Sequence, residues 1–257
     1  MPVQTVSQTL DRALNVLLEV AARPSGLSLA ECASVLGYSK PTTHRIIRTL
    51  AEHGFLRADE QRRTYTLGVT TLRLGMDFLE NLDLRREALP LLRELAEQAG
   101  ETVHLGIVQG SDVVYIEKVE SPHAVRMFSR VGHTMPTYST GIGKAVLAFL
   151  SEDELEAALP ELLEARTGAT ITDPAELRRH LAEIRQRGYS IDDVENEEGI
   201  RCAGAPIFDH TGAACAGISV AGPATRVTPD RIPELGMRAR ETALEISARI
   251  GYREPVR

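Results

Sequence analysis

The segment SLAECASVLGYSKPTTHRIIRTLAEHGFLRADEQRRTYTLG, residues 28–68, carries the clearest structural signals in the N-terminal part of the chain. It opens with a serine followed three residues later by a glutamate, a capping-box pattern that predicts a helix over Leu29–Leu36 ending at Gly37. Ser39 suits the N-cap of a second helix, which we predict over Lys40–His53. Two short helices joined by a tight turn indicate a helix-turn-helix.

The second of these helices has an apolar and a polar face. Its apolar residues Ile46, Ile47 and Leu50 are expected to point inward. In helix-turn-helix proteins the second helix enters the major groove and contacts base edges with its N-terminal residues. The candidate DNA contacts are therefore the polar residues at its start and on its outer face: Ser39, Lys40, Thr42, Thr43, Arg45 and Arg48.

A basic hairpin is predicted after the second helix. Phe55–Arg57 and Thr64–Leu67 can pair across a turn at Ala58–Arg63. Arg62 and Arg63 would lie at its tip, where arginines can bind phosphates or enter the minor groove. A helix-turn-helix followed by such a hairpin is a winged helix-turn-helix. The alternative is a small helical packing module that binds no nucleic acid.

The segment before the helix-turn-helix also has helical periodicity. Its apolar residues recur at steps of three and four and predict one apolar helix face: Leu10, Leu14, Leu17, Leu18 and Ala21. Pro24–Gly26 then stops this helix.

The chain is acidic overall, with a net charge of −7, but its charge is unevenly distributed. Residues 1–68 hold eight Lys and Arg against six Asp and Glu, a net charge of +2, which leaves −9 on the remainder. A locally basic segment on an acidic body is typical of a nucleic-acid reader, although a merely solvated basic face has the same composition. Phosphates repel the acidic body, so we expect DNA contact to be confined to the N-terminal part.

Composition excludes several classes of protein. Of the 257 residues, 43% are hydrophobic, which is enough for folded cores, and no stretch approaches the roughly 18 uninterrupted apolar residues of a membrane span. Three cysteines at distant positions offer no disulfide framework, and seven histidines without paired spacing offer no metal site. We expect a soluble, cytoplasmic protein that has no cofactor and does not bind membranes.

Residues 69–257 combine helices with antiparallel strands. A linking helix is predicted over Val69–Leu82 and another over Leu84–Gln98, in which Pro90 should cause a kink or displace the start. Antiparallel hairpins flanked by helices indicate an α+β layer fold. The remaining predicted helices are Gly143–Leu150, one capped by Ser151–Glu154, one from Asp173 to about Gly188, and Ile232–Ile250. The predicted strands are Val103–Ile107, Val113–Tyr115 and beyond, Val125–Arg130, Tyr189–Ile191, Cys202–Phe208 and Ala214–Ala221.

Three polar residues form a candidate small-molecule site. Asp192 ends one predicted strand, Cys202 starts the next and Ser219 lies on a third, so one sheet surface can bring them together. A carboxylate, a thiol and a hydroxyl in an otherwise apolar cavity are typical of such a site. The alternative is that Asp192 only caps a turn and Cys202 only packs. The acidic loop at 196–199 is a lid, a dimer contact or a solvated loop.

Two segments partly match catalytic motifs. Thr140–Ala145 is half of a phosphate-binding loop, but Tyr138 stands where the full pattern requires Gly. Gly217–Ala221 nearly matches the nucleophile elbow of serine hydrolases, but it ends in Ala where the motif requires a second Gly. Neither match is complete, so we expect the protein not to be an enzyme.

Taken together, these segments resemble the IclR family of bacterial transcriptional regulators. The likeness is carried by residues 28–68 and then, in order, by HLGIVQGSDVVYIEKVES, STGIGKAVLAF, RGYSIDDVENEEGIRCAGAPIFD and GISVAGPATRVTP, covering about Gln8 to Ile250. It implies a winged helix-turn-helix at 1–68, a linker helix at 69–82 and a GAF-like α/β sandwich at 83–257 that binds an effector. The effector contacts that it implies are Thr140, Gly141, Asp192, Cys202 and Ser219.

The resemblance also implies dimers through the N-terminal domains and often tetramers through the effector domains. We expect a regulator that binds a palindromic operator as a homodimer or homotetramer and senses a small organic acid or an intermediate of aromatic catabolism. Family members that sense small oxo-acids have a second serine where this chain has Ala221, which argues against a glyoxylate- or pyruvate-like effector. The alternatives are a thiol-dependent enzyme or GAF-related reductase using Cys202, and an architectural DNA-binding protein without a ligand.

Overall fold

The computed structural model describes residues 7–80, 83–124 and 129–253, and the chain divides into two compact units, Met1–Asn81 and Leu82–Arg257. The predicted helix-turn-helix and hairpin are confirmed in the first unit. Residues 81 and 82, at the end of the predicted linking helix, lie outside the described residues. The elements of this unit are α1 (Gln8–Ala21), α2 (Leu29–Leu36), α3 (Lys40–Glu52), β1 (Leu56–Asp59), β2 (Thr64–Leu67) and α4 (Val69–Glu80).

Both helices of the helix-turn-helix begin at the caps that the sequence predicts. The Ser28 Oγ accepts from the Glu31 amide at 3.3 Å, and the Glu31 carboxylate accepts from the Ser28 amide at 2.8 Å. Gly37 ends α2 with a φ of +66°, a left-handed conformation that glycine adopts without a steric penalty. The Ser39 Oγ then accepts from the Thr42 amide at the start of α3.

The expectation of a single apolar face on α1 is wrong. Val16 and Val20 are buried with Leu27, Cys32 and Ile47, and they form the core of the first unit. A second apolar stripe, spaced by four residues, remains exposed on α1: Leu10, Leu14 and Leu18. Exposed apolar residues also follow one another along α4: Val69, Leu72, Leu74, Met76 and Phe78.

The hairpin is longer than predicted and its turn is shorter. Ala58 and Asp59 belong to β1, since they pair with Tyr65 and Thr64 of β2. The Asp59 carboxylate holds the turn by accepting from the amides of Gln61 and Arg62, both at 3.1 Å. The basic tip is therefore the four-residue turn at 60–63.

The second unit is built on a six-stranded antiparallel sheet with the order β5-β4-β3-β8-β7-β6. Helices α5 and α9 pack against each other and against the sheet. The α+β class is thus confirmed. The elements are α5 (Asp83–Ala99), β3 (Thr102–Gln109), β4 (Asp112–Val119), β5 (Thr134–Pro136), α6 (Gly141–Leu147), α7 (Glu152–Ala157), α8 (Pro174–Arg187), β6 (Ser190–Asp193), β7 (Ile200–Phe208), β8 (Ala214–Pro223), a 3-10 turn at Pro229–Arg231 and α9 (Ile232–Arg249).

The second unit departs from the predicted elements at three places. Helix α5 starts at Asp83 and continues through Pro90, so the proline does not displace the start of the helix. Of the strand predicted at Val125–Arg130, residues 125–128 lie outside the described residues, and the other two are not in a strand. The three-residue strand β5 was not predicted, since it is too short for a periodic pattern.

Helix α6 lies directly on the sheet because glycines face each other across the contact. A Cβ at Gly141 would come within 2.6 Å of the Cys202 Sγ, and one at Gly204 would come equally close to the Gly141 backbone. Any larger residue would force the helix away from the sheet. This close approach brings the start of α6 against the strand that carries Cys202.

Candidate functional site

The outer face of α3 carries most of the predicted DNA contacts. Lys40, Arg45 and Arg48 are exposed, while Ile46 and Ile47 are buried in the core of the unit. The prediction that Thr43 lies on this outer face is wrong. Its side chain is fully buried and its hydroxyl donates to the Ser39 carbonyl at 3.1 Å, so it supports the start of the helix from inside.

The exposed arginines differ in how freely they can reach a ligand. Arg48 forms an ion pair with Glu52 at 2.8 Å, but both side chains are largely exposed, so the pair stabilises the protein little. Arg62 reaches Asp59 only at 4.0 Å. For Arg45 no side-chain partner occurs among the described residues. Arg63 occupies the hairpin tip with a positive φ of 53°.

In the second unit, the strand register brings the predicted polar residues onto one face. Asp192 pairs directly with Cys202, and Ser219 pairs with Gly204, two residues further along β7 on the same face. All three side chains are buried. The Cys202 thiol donates to the Asp192 Oδ2 at 3.7 Å. These residues therefore form one polar cluster, which we call the Asp192 cluster (Asp192, Cys202 and Ser219).

The Asp192 carboxylate is fixed by the loop that follows β6. Its Oδ1 accepts from the amides of Glu195 at 2.7 Å and Asn196 at 3.2 Å. Burial raises the pKa of Asp192 to about 6, and the positive charge of Lys144 opposes this shift. Near neutral pH this group is thus far closer to protonation than an ordinary aspartate.

Cys202 is held as a thiol. Burial raises its pKa well above the ordinary value, the Asp192 charge raises it further, and the Gly141 amide only partly offsets these effects. The thiolate is the nucleophilic form of cysteine. The environment of Cys202 therefore suits a hydrogen-bonding thiol better than the nucleophile of a thiol-dependent enzyme.

Thr140 and Gly141 stand at the start of α6 with different roles. The Thr140 hydroxyl accepts from the Gly143 amide at 3.2 Å and donates to the Pro136 carbonyl at 2.8 Å, so its hydrogen bonds serve the helix cap. Gly141, in contrast, lies against Cys202. Of these two predicted effector contacts, Gly141 therefore lies next to the Asp192 cluster, whereas the Thr140 hydroxyl is used to cap α6.

A buried ion pair next to the cluster was missed by sequence reasoning. Lys144 is fully buried; its Nζ donates to the Ile191 carbonyl at 2.6 Å and forms a very short ion pair with the Glu195 carboxylate. The signal was present, because a lysine within an apolar helical run must have a partner. In the sequence, this lysine belongs to the incomplete phosphate-binding motif at Thr140–Ala145.

His104 and Tyr115 complete the surroundings of the cluster. His104 pairs with Ser219 across β3 and β8, stacks on the Tyr115 ring at 4.6 Å and meets the Ser129 hydroxyl at 2.7 Å through its Nε2. Burial lowers the pKa of His104 to about 3, so the ring is neutral. Its buried Nδ1 has no hydrogen-bond partner among the described residues.

Of the acidic loop at 196–199, Asn196 is buried, while Glu197, Glu198 and Gly199 are exposed to solvent. Asn196 accepts from the Ser139 hydroxyl at 3.1 Å, and the Thr170 hydroxyl donates to the Glu195 carbonyl at 2.6 Å. Val194 has a φ of +62°, which is a genuine outlier for a β-branched residue. Such strain persists where the surroundings fix the backbone, often at ligand sites.

The described residues contain neither a metal-binding cluster nor a membrane-spanning helix. Within 7–80, 83–124 and 129–253, no group of three or more His, Cys, Asp or Glu side chains is placed to hold a metal ion. No helix in these ranges combines the length and the apolar composition required to cross a membrane.

Comparison with known proteins identifies relatives along both units. A family model described as the IclR helix-turn-helix domain matches residues 9–60, and one described as the bacterial transcriptional regulator IclR C-terminal matches residues 76–248. The chain is 41% identical over 241 residues to the HTH-type transcriptional regulator BhcR of Paracoccus denitrificans (strain Pd 1222), covering 93% of this chain and 86% of that protein. It is 36% identical over 247 residues to the transcriptional repressor IclR of Escherichia coli (strain K12), covering 95% and 90%.

Solved structures of related proteins have the same fold. The Thermotoga maritima IclR structure matches with a TM-score of 0.74 at 38% identity, covering 95% of this chain and 99% of that chain. An IclR transcriptional regulator from Silicibacter sp. TM1040 matches with a TM-score of 0.83 at 30% identity, covering 96% and 98%. The chain therefore belongs to the IclR family of bacterial transcriptional regulators and is a DNA-binding regulator.

Proposed function

We propose that the first unit binds a palindromic operator and that the second unit binds a small metabolite that changes the operator affinity. The observation that carries this proposal is the presence, in one chain, of an exposed basic helix face and a buried polar cluster. A metabolite can control DNA binding only if it binds two states of the protein with different affinities.

The proposed DNA contacts are on α3 and the hairpin tip. Arg45 is the strongest candidate for base readout, because its guanidinium is exposed and has no competing partner among the described residues. Bidentate pairing of an arginine with guanine contributes roughly 1–3 kcal/mol of discrimination. Arg62 and Arg63 are assigned to phosphate or the minor groove. The full proposed set is Ser39, Lys40, Thr42, Arg45, Arg48, Arg62 and Arg63.

We propose that two chains form a homodimer through contacts between their first units. Two such dimers would then form a homotetramer through contacts between their second units. Leu10, Leu14 and Leu18 form an exposed apolar stripe on α1 that the core of this unit leaves uncovered. Exposed apolar patches of this kind mark protein interfaces. A dimer also fits the DNA, since a single helix-turn-helix reads too few base pairs for a palindromic site.

The proposed effector site is the Asp192 cluster together with Gly141. A partly protonated Asp192, the Cys202 thiol and the Ser219 hydroxyl can all donate hydrogen bonds, so the site suits a small organic acid or an oxygenated aromatic acid. Because residue 221 is alanine and not serine, the site lacks one hydroxyl that would bind a smaller oxo-acid. The unpartnered Nδ1 of His104 next to Ser219 supplies a further polar group.

The DNA-binding part is tested by selecting DNA from a random-sequence pool with the full-length protein. We expect a palindromic consensus and an affinity that falls steeply with salt, because phosphate contacts release counterions. Arg45→Ala should lower specific affinity by about tenfold. Arg179→Ala is a matched control, because it removes the same charge from an exposed position on α8. Equal behaviour of the two variants would remove Arg45 from the interface.

A further inference from the structure

A cavity away from the Asp192 cluster lies in the second unit, between α8, the end of β7 and α9. Its volume is about 220 Å³, and no residue of the Asp192 cluster lines it. Its walls carry two arginines and three aromatic rings: Arg185, Arg240, Phe149, Phe208 and Tyr252.

Arg240 has no hydrogen bond or ion pair with any described residue, although its side chain is half-buried. Its position depends on Gly188, since a Cβ there would come within 2.6 Å of the Arg240 Nε. A guanidinium that is partly removed from water without an anion is unfavourable. Among the described residues, the cavity thus presents a half-buried guanidinium that is not paired with an anionic side chain.

Arg185 presents a second, oriented guanidinium to the same cavity. Its Nε donates to the Ala148 carbonyl at 2.5 Å and its Nη2 to the Leu150 carbonyl at 3.0 Å. These bonds fix the plane of the guanidinium and leave other N–H groups for a ligand. None of the described residues that line the cavity is acidic, so the two positive charges have no counterpart there.

The aromatic wall adds an apolar surface next to these charges. Phe208 stacks with Tyr252 at 5.2 Å and meets the edge of Phe149 at 5.1 Å. The cavity is smaller than the roughly 300 Å³ at which pockets for drug-sized ligands begin, so it suits a small molecule. Arginine pairs with a carboxylate through two parallel hydrogen bonds.

We propose that this cavity is a second ligand site, which binds a small carboxylate with a flat, apolar body. The carboxylate binds Arg240 and Arg185, and the body packs against Phe208. The site uses residues different from those of the proposed effector site, so either can exist without the other.

The test is isothermal titration of the full-length protein with benzoate, with benzyl alcohol as the neutral analogue. We expect wild type to bind benzoate and not benzyl alcohol, and Arg240→Gln to weaken binding by about tenfold or more, as expected for a charge-assisted hydrogen bond. Arg179→Gln, on an exposed part of α8, should bind as wild type does. Asp192→Ala should retain benzoate binding.

Three results would overturn the second site: no benzoate binding by wild type, equal binding by Arg240→Gln, or loss of binding in Asp192→Ala. Thermal unfolding of each variant checks that the fold is intact. If Arg240→Gln does not fold, Arg240→Lys replaces it, because Lys keeps the charge and loses the planar fork. Arg240→Lys should then bind benzoate more weakly than wild type, and unchanged affinity would contradict the proposal.

Discussion

Cys202 Sγ lies 3.7 Å from Asp192 Oδ2, so a buried thiol donates a hydrogen bond across β6 and β7 to a buried carboxylate. The other carboxylate oxygen accepts from the amides of Glu195 and Asn196. One side of the carboxylate is therefore fixed by the protein, and among the described residues the other side accepts from a weak donor that a ligand group can replace. This pair is the centre of the proposed effector site.

Asp192→Asn should change how stability depends on pH. Burial raises the pKa of Asp192 from 3.8 to about 6, so the folded state binds this proton more tightly than the unfolded chain does. The resulting stabilisation is fully present below pH 3.8 and is lost as the pH rises through about 6. Asn does not titrate. Between about pH 4 and pH 7, the free energy of unfolding of wild type should therefore fall by up to about 3 kcal/mol relative to that of the variant.

Urea unfolding of both proteins across this pH range measures that difference. A difference that stays constant, or that grows in favour of wild type with rising pH, would contradict the raised pKa of Asp192.

Cys202 should resist alkylation in the native protein. Burial and the adjacent carboxylate keep it protonated, and only the thiolate reacts quickly. Iodoacetamide should label Cys202 at least about tenfold more slowly in the folded protein than in urea, with the half-buried Cys215 as an internal reference. Peptide mass mapping measures both rates. Rapid native labelling of Cys202 would favour the alternative of a thiol-dependent enzyme.

Lys144→Met should be strongly destabilising. The substitution leaves the Glu195 carboxylate buried without its cation, and this should lower the free energy of unfolding by about 3–5 kcal/mol. The double variant Lys144→Met with Glu195→Leu should recover part of this loss, because it leaves no uncompensated charge. Lys40→Met, at an exposed position, is the control. A double variant less stable than Lys144→Met alone would show that the unpaired Glu195 charge is not the cause of the lost stability.

Leu14→Glu should dissociate the proposed dimer. The Leu14 side chain is 51% exposed within its own unit, so the charge can be accommodated in the monomer and not in an apolar interface. Light scattering should report a smaller assembly and operator affinity should fall by about tenfold or more, because one subunit reads only a half-site. Leu162→Glu, at a position 70% exposed in the second unit, is the matched control. An unchanged molar mass for Leu14→Glu would place the interface elsewhere.

Local rules predicted most of the elements. Ser28 with Glu31, and Ser151 with Glu154, form the capping boxes that the sequence indicates, because these bonds depend on residues three apart. The face of Thr43 was predicted wrongly for the opposite reason. A threonine hydroxyl can donate a hydrogen bond to the backbone carbonyl four residues earlier, as Thr43 does to Ser39. A threonine can therefore be buried in a helix, and its polarity alone does not predict that it is exposed.

The candidate site was only partly accessible from sequence. Asp192, Cys202 and Ser219 could be placed on one face because strands alternate with a period of two. Lys144 and His104 join them through packing between elements that lie 40 or more residues apart in sequence, and no local pattern reports such contacts. The second apolar stripe of α1 was merged with the core face, because four-residue spacing alone does not say which face is covered.

The most direct test asks whether a ligand at the Asp192 cluster controls DNA binding. A panel of organic and aromatic acids is first screened for a compound that raises the unfolding temperature of the full-length protein. That compound is titrated into the complex with the selected operator, using wild type, Asp192→Ala and the exposed-site control Asp153→Ala. We predict that the compound changes the operator affinity of wild type and Asp153→Ala by about 5- to 150-fold. Without the compound, Asp192→Ala should bind the operator as tightly as wild type does. Its operator affinity should not change when the compound is added. If Asp192→Ala responded to the compound as wild type does, the Asp192 cluster would not be the site through which the ligand controls DNA binding.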